Sequence, residues 1–171
     1  MTAYAMSSMC AALGANGPAQ DIPRDSDFYG WLVGAWELEV LDCEGEGMHR
    51  VNSGEWHFAW VLEGRAIQDV LIAPKLSQRR SDIPLRGNRF GTGLRVYEAA
   101  ADRWRAFWVN PMQGAIATLT VEKRGDEIVE TGDDLRNVFT ALGHDAFRCR
   151  VEKATRGGWT KIAQIEARRS S

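Results

Sequence analysis

The feature that most constrains this chain is its alternation. From Ala35 to about residue 168, apolar and polar side chains alternate with a period of two, interrupted by Gly-containing turns about every 8 to 15 residues. Such a period sends successive side chains to opposite faces, so Trp36, Leu38 and Val40 share one face and Glu37 and Glu39 the other. Phe147, Cys149 and Val151 against Arg148, Arg150 and Glu152 repeat the rule near the far end. The pattern predicts strands over 35–43, 50–62, 65–73, 90–98, 103–110, 115–123, 127–132, 135–141, 146–154 and 159–168. Without covering helices, this many strands in an open sheet would leave unpaired edges, and closure removes them. The predicted class is all-β, an antiparallel barrel of about 8–10 strands, with a two-sheet sandwich as the alternative.

Two segments fall outside the alternation. Residues 1–24, rich in Ala, Gly, Ser and Pro, have no sustained period and read as a flexible N-terminal arm, or else a lid, ahead of a domain spanning 25–171. Asp25, Ser26 and Asp27 then precede Phe28, Tyr29, Trp31 and Leu32, with Gly34 as a stop, which predicts a short N-terminal helix of one or two turns. The one long connection, residues 74–89 with Pro74, Pro84 and Gly87, is of the kind that lies across a barrel mouth and gates it.

Charge and cysteine usage narrow the function classes. With 21 basic against 23 acidic residues the formal charge is −2, which provides no field to gather nucleic acid or an anionic membrane surface. Arg79 with Arg80, and Arg168 with Arg169, are too short to track a phosphate backbone. No run approaches the roughly 18 apolar residues a membrane span needs. The three cysteines, Cys10, Cys43 and Cys149, form no close pair, so neither a disulfide framework nor a zinc knuckle is expected, and no Lys or Arg precedes Arg24 to begin an export signal. A cytoplasmic protein is the expectation, with no metal and no cofactor. Its oligomeric state is left open, a homodimer included. No phosphate-binding glycine loop and no nucleophile elbow is present.

Local hairpin geometry yields the candidate site. A two-residue loop at Glu63-Gly64 would pair Trp60 with Ile67, Phe58 with Asp69 and Trp56 with Leu71, and put all six on one face. A carboxylate set in that apolar wall is a candidate acid, base or ligand anchor, or else a stabilising ion-pair partner. A loop at residues 99–102 would pair Tyr97 with Trp104, Arg95 with Ala106 and Gly93 with Trp108, and bring Asn110 to the same face. Arg95 among indoles could stack and still direct donors at a carboxylate or carbonyl, with Asp69 as its partner if both point inward. The opposite face, with Leu94, Val96, Phe107 and Val109, is the alternative core. Glu130 and Arg136, on later strands, read as surface charges, or else as additions to the polar cluster, and His57 falls on the face away from the tryptophans.

Gly34-Ala35-Trp36 after a short helical turn resembles the Gly-x-Trp signature of lipocalins and the wider calycin group. There the Trp closes one end of the barrel and stacks on an Arg of the last strand, a place for Arg168 or Arg169. The strings Gly54-Glu55-Trp56-His57-Phe58, Gly64-Arg65-Ala66-Ile67-Gln68-Asp69-Val70, Leu94-Arg95-Val96-Tyr97 and Phe107-Trp108-Val109-Asn110-Pro111 are similar to a family of small bacterial lipocalin-like proteins. The resemblance covers most of residues 28–168 and implies a lipocalin-like barrel with an internal ligand pocket more firmly than it implies a reaction. Nitrobindin-type haem barrels are calycins too, but His49, His57 and His144 do not offer an axial ligand. Three functions stay open. The first is binding of a small hydrophobic or aromatic molecule with a polar group, held by Trp56, Phe58, Trp60, Tyr97, Trp104, Trp108 and Asn110. The second is a cofactor-independent isomerase, lyase or cyclase in which Asp69 and Arg95 are catalytic and Asn110 helps to hold an oxyanion. The third is a structural or partner-binding domain.

Overall fold

The computed structural model describes residues 8–44, 47–79 and 89–170. The strands are β1 (Gly34–Glu44), β2 (Gly47–Val61), β3 (Ala66–Ala73), β4 (Arg89–Glu98), β5 (Arg103–Asn110), β6 (Ala115–Arg124), β7 (Glu127–Thr131), β8 (Leu135–Ala141), β9 (Ala146–Thr155) and β10 (Gly158–Arg169). All ten pair antiparallel with their neighbours in sequence, and β10 returns to β1 to close a single barrel. The two-sheet sandwich is therefore not the arrangement adopted. Every strand lies within three residues of its predicted bounds, because the period of two persists as far as the turns allow.

Inside and outside follow the alternation. Trp36, Leu38 and Val40 are buried. Phe147 and Cys149 are buried as well, whereas Arg148 and Arg150 form ion pairs with Glu166 and Glu127 on the outer face, and Glu152 on that face is buried beneath Arg136 and Arg150.

One end of the barrel is plugged. The predicted short helix is realised as two 3-10 turns, Arg24–Ser26 and Gly30–Leu32, separated by Asp27, whose side chain accepts the amide N–H of Gly30 at 2.8 Å. That bond draws Asp27 into a local turn and stops an α-helix from propagating through it. Tyr29 and Leu32 are fully buried beneath the turns. Trp36 donates its indole N–H to the Leu32 carbonyl at 2.7 Å, and the Arg169 guanidinium lies 4.1 Å from the Trp36 ring centroid. Arg169 also donates to the carbonyls of Val33 and Trp31 at 3.0 and 3.1 Å, so one side chain ties the last strand to the plug. Gly34 has a φ of +134°, and a methyl group there would overlap the Arg169 guanidinium, which accounts for the glycine beside the tryptophan.

Residues 8–24 run along the β2–β3 hairpin. A helical turn, α1 (Ser8–Leu13), leads into a stretch bound to the β2–β3 hairpin. Leu62 donates to Leu13, Ala15 to Trp60 and Ala19 to Gly64, at 2.9–3.0 Å, and Ile22 enters the core. The reason lies in strand length: β1 begins at Gly34, opposite Phe58, so the outer edge of residues 59–61 has no β1 partner and accepts the N-terminal backbone instead. Backbone pairing of this kind needs no side-chain period. Residues 80–88, most of the predicted gating connection, and the side chain of His49 lie outside the described residues.

Candidate functional site

Both predicted registers are those of the structure. Trp56 pairs with Leu71, Phe58 with Asp69 and Trp60 with Ile67. In the next hairpin Tyr97 pairs with Trp104, Arg95 with Ala106 and Gly93 with Trp108. The first register holds although the connection is four residues, 62–65, with positive φ at Leu62, Glu63 and Gly64, rather than a two-residue loop. Strand β4 then joins the two hairpins, with Asp69 opposite Gly93 and Ile67 opposite Arg95. Arg95 and Asp69 thus both face inward, at 3% and 0% exposure, while Val109 on the alternative face is 37% exposed. Gly91 and Gly93, inside a strand, leave room for neighbours: a methyl at Gly93 would overlap the Asp69 carboxylate, and one at Gly91 the Trp108 ring.

Arg95 sits between two carboxylates. Its Nη1 is paired with Asp69 Oδ2, its Nε donates to Glu130 Oε1 at 2.6 Å, and its Nη2 reaches Glu130 Oε2 at 3.3 Å. Trp56 donates its indole N–H to Asp69 Oδ1 at 2.6 Å, and the Tyr29 hydroxyl donates to Glu130 Oε1 at 2.9 Å. The guanidinium carbon lies 5.2, 5.6 and 5.5 Å from the ring centroids of Tyr29, Phe58 and Phe139. Burial raises the Asp69 carboxyl above its ordinary range, against the opposing pull of Arg95 and the Trp56 bond. Burial alone would disfavour the Arg95 cation, yet Glu130 and Asp69 hold it protonated well above its usual value. Tyr29 is raised well above a normal phenol, first by burial and then by Glu130.

Glu130 corrects the preferred surface reading and takes the other one, joining the polar cluster: it is 1% exposed. Ile128 and Val129 are both buried, which blurs the alternation around it, and its partner Arg95 is 35 residues away in sequence. The residue two before it, Ile128, is the available signal, since both share a face. Tyr29, 101 residues from Glu130, carries no comparable sign. Arg136 remains toward the surface, paired with Glu152 and stacked 4.7 Å from the Trp159 ring.

Beside the cluster opens a cavity of about 320 Å³. Trp56, Leu71, Trp108 and Asn137 are among its walls, and among the described residues Arg95 and Glu130 are the only charged side chains in the lining. Asn110 also lines it while its Oδ1 accepts the amide N–H groups of Met112 and Gln113 and shapes the β5–β6 turn. Cys149 reaches the wall as well, where burial pushes its thiol far above the ordinary range. Four expected ligand contacts lie elsewhere. Phe58 packs between Trp56 and Phe147, Trp60 and Trp104 pack on each other in the plugged half, and the Tyr97 hydroxyl donates to Asp102. Trp104 further donates its indole N–H to the Ser26 carbonyl. Asp69 is likewise behind the wall rather than on it. These residues do share the inward face, but position along the barrel axis separates plug from cavity. His57 is half-exposed beside Glu55, and His144 is 87% exposed beside Asp145. Among the described residues no cluster of His, Cys, Asp or Glu is arranged to hold a metal ion.

No protein-family model matches the sequence, and no curated protein does either. Solved structures do resemble the barrel. Zebrafish ileal bile acid-binding protein, complexed with cholic acid, superposes with a TM-score of 0.51 at 10% identity, covering 82% of this chain and 99% of that one. An S-type phycobiliprotein lyase from Guillardia theta gives 0.50 at 8% identity, covering 88% and 95%. The fold is a lipocalin-like barrel. Within this barrel the stacking partner of Trp36 is Arg169 rather than Arg168, and the half of the interior away from the plug holds the cavity. No helix among the described residues is long and apolar enough to cross a membrane.

Proposed function

We propose that this calycin barrel binds a small, flat, largely apolar molecule that carries one polar group, with its body against Trp56 and Trp108 and its polar group at Arg95 and Glu130. The cavity carries this reading: aromatic walls meet a buried charged pair at one place, the combination of apolar enclosure and few polar groups that ligand sites require. Its size, about 320 Å³, suits a two- or three-ring ligand. A cytoplasmic setting goes with it, in keeping with three cysteines of which no two are close in sequence.

The isomerase, lyase or cyclase reading draws less support. Asp69, its proposed proton carrier, has Oδ1 held by Trp56 and Oδ2 by Arg95, and it does not line the cavity. A general acid or base must come within hydrogen-bond reach of the substrate. The neutral fluorophore N-phenyl-1-naphthylamine tests the binding reading directly. Titration should show saturable, one-to-one enhancement of the probe with quenching of tryptophan emission, and Ala117→Phe, which fills the cavity from its wall, should weaken binding at least tenfold. Absence of saturable binding, or equal binding by Ala117→Phe, would refute it.

A further inference from the structure

The charge balance of the cavity floor points to the kind of polar group it accepts. We infer that the preferred ligand carries a cation, a protonated amine on an aromatic or apolar body, and that Glu130 receives it. The inference rests on the binding reading above and adds the chemical class.

Three observations support it. First, Arg95 and Glu130 are the only charged side chains among the described residues that line the cavity, and the cluster they belong to holds two carboxylates, Glu130 at the wall and Asp69 behind it, against the one guanidinium. The cluster therefore carries one negative charge in excess when its acids are ionised, in a setting where water screens little. Second, Arg95 is already committed. Three of its five N–H groups point to carboxylate oxygens, so an anionic ligand would compete with Asp69 and Glu130 for the same guanidinium. It would also place a like charge beside them. Third, the two Glu130 oxygens are unequal. Oε1 accepts from Tyr29 and from Arg95 Nε at 2.9 and 2.6 Å, whereas Oε2 accepts, among the described residues, only one long bond, 3.3 Å, from Arg95 Nη2. A carboxylate oxygen has room for a second donor, and an ammonium supplies one with charge. Trp56 and Trp108 in the same wall favour a cation attached to a ring system by their π-faces. Asn137, paired with Glu130 across β7 and β8, adds a neutral amide at the same depth.

Three ligands with one body separate the possibilities: 1-naphthylmethylamine, 1-naphthylmethanol and 1-naphthylacetate, titrated into the full chain at neutral pH by calorimetry. The amine should bind at least ten times more tightly than the alcohol, and the acetate more weakly than the alcohol. Glu130→Gln should bring amine and alcohol to within about threefold of each other with little change for the alcohol, as loss of one charge-assisted bond requires. Because that variant disturbs the buried cluster, Asn137→Asp gives an independent arm: it leaves the Asp69, Arg95 and Glu130 contacts in place and adds a carboxylate at the wall, so it should widen the amine preference. An acetate that binds as tightly as the amine, or an amine preference unmoved by both variants, overturns the inference. Should N-phenyl-1-naphthylamine bind while the amine gains nothing over the alcohol, charge selection is wrong and the binding reading stands. If neither the naphthyl ligands nor the neutral probe bind, both fall.

Discussion

Arg95→Met tests whether the buried cluster is held by its one cation. Methionine keeps most of the stem volume and removes the guanidinium, so Asp69 and Glu130, at 0% and 1% exposure, face each other with the Trp56 indole and the Tyr29 hydroxyl as their remaining described donors. Removing one partner of a buried pair costs about 3–5 kcal/mol, because the remaining charge is left uncompensated. Protonation caps that cost. Neutralising a carboxyl of ordinary pKa near 4 takes about 5 kcal/mol at about pH 7.5, but only about 1–2 kcal/mol at about pH 5, at 1.36 kcal/mol per unit. The variant should therefore lose about 3–5 kcal/mol near pH 7.5, a large share of the ~5–15 kcal/mol of a typical domain, and recover most of it near pH 5. Urea unfolding followed by tryptophan fluorescence at both pH values measures this. Adding Asp69→Asn to Arg95→Met should restore stability near pH 7.5 instead of lowering it further, since the second change removes one of the orphaned charges. A loss below about 1 kcal/mol near pH 7.5, or an equal loss at both pH values, would refute the reasoning.

Two further outcomes are expected. Burial raises the folded-state pKa of Asp69 above its unfolded value, with Arg95 and Trp56 opposing, so its contribution to stability is fully present below the unfolded pKa of about 3.9 and is lost as pH rises through the folded value. Glu127, held down chiefly by Arg150, has the opposite sign and loses its contribution as pH falls. Asp69→Asn should thus gain stability relative to the parent as pH is raised from about 4, read from urea midpoints, and a flat difference would contradict the direction. Arg169→Met removes donors from the Val33 and Trp31 carbonyls and the cation from the Trp36 face, and should cost about 2–3 kcal/mol with a change in near-ultraviolet circular dichroism from the plug. An unchanged spectrum and midpoint would show that Arg169 does not secure that end.

The sequence by itself determined the strands and the two hairpin registers, because both are local. A period of two survives from residue to residue, and a short turn such as residues 62–65 sets which residues oppose one another within about fifteen positions. That is enough to put Trp56, Phe58 and Asp69 on one face, and Gly34-Ala35-Trp36 points to the plugged end. Facing of β4 and β5 is not legible in the same way, for a physical reason: Leu94, Val96, Phe107 and Val109 make the outer face nearly as apolar as the inner one, so hydrophobicity alone does not choose between them. Closure chose. It brought β7 across the interior from β4, set Glu130 against Arg95 and drew Tyr29 from the N-terminal turns onto the same carboxylate. Depth along the barrel axis is also a tertiary outcome. Trp60 and Trp104 pack in the half sealed by the residues before β1, while Trp56 and Trp108 lie beyond that plug and line the cavity. The N-terminal stretch follows the same logic, since its place on β2 is set by how far β1 falls short of the Trp60 edge, a difference in strand ends that exists only once the sheet has formed.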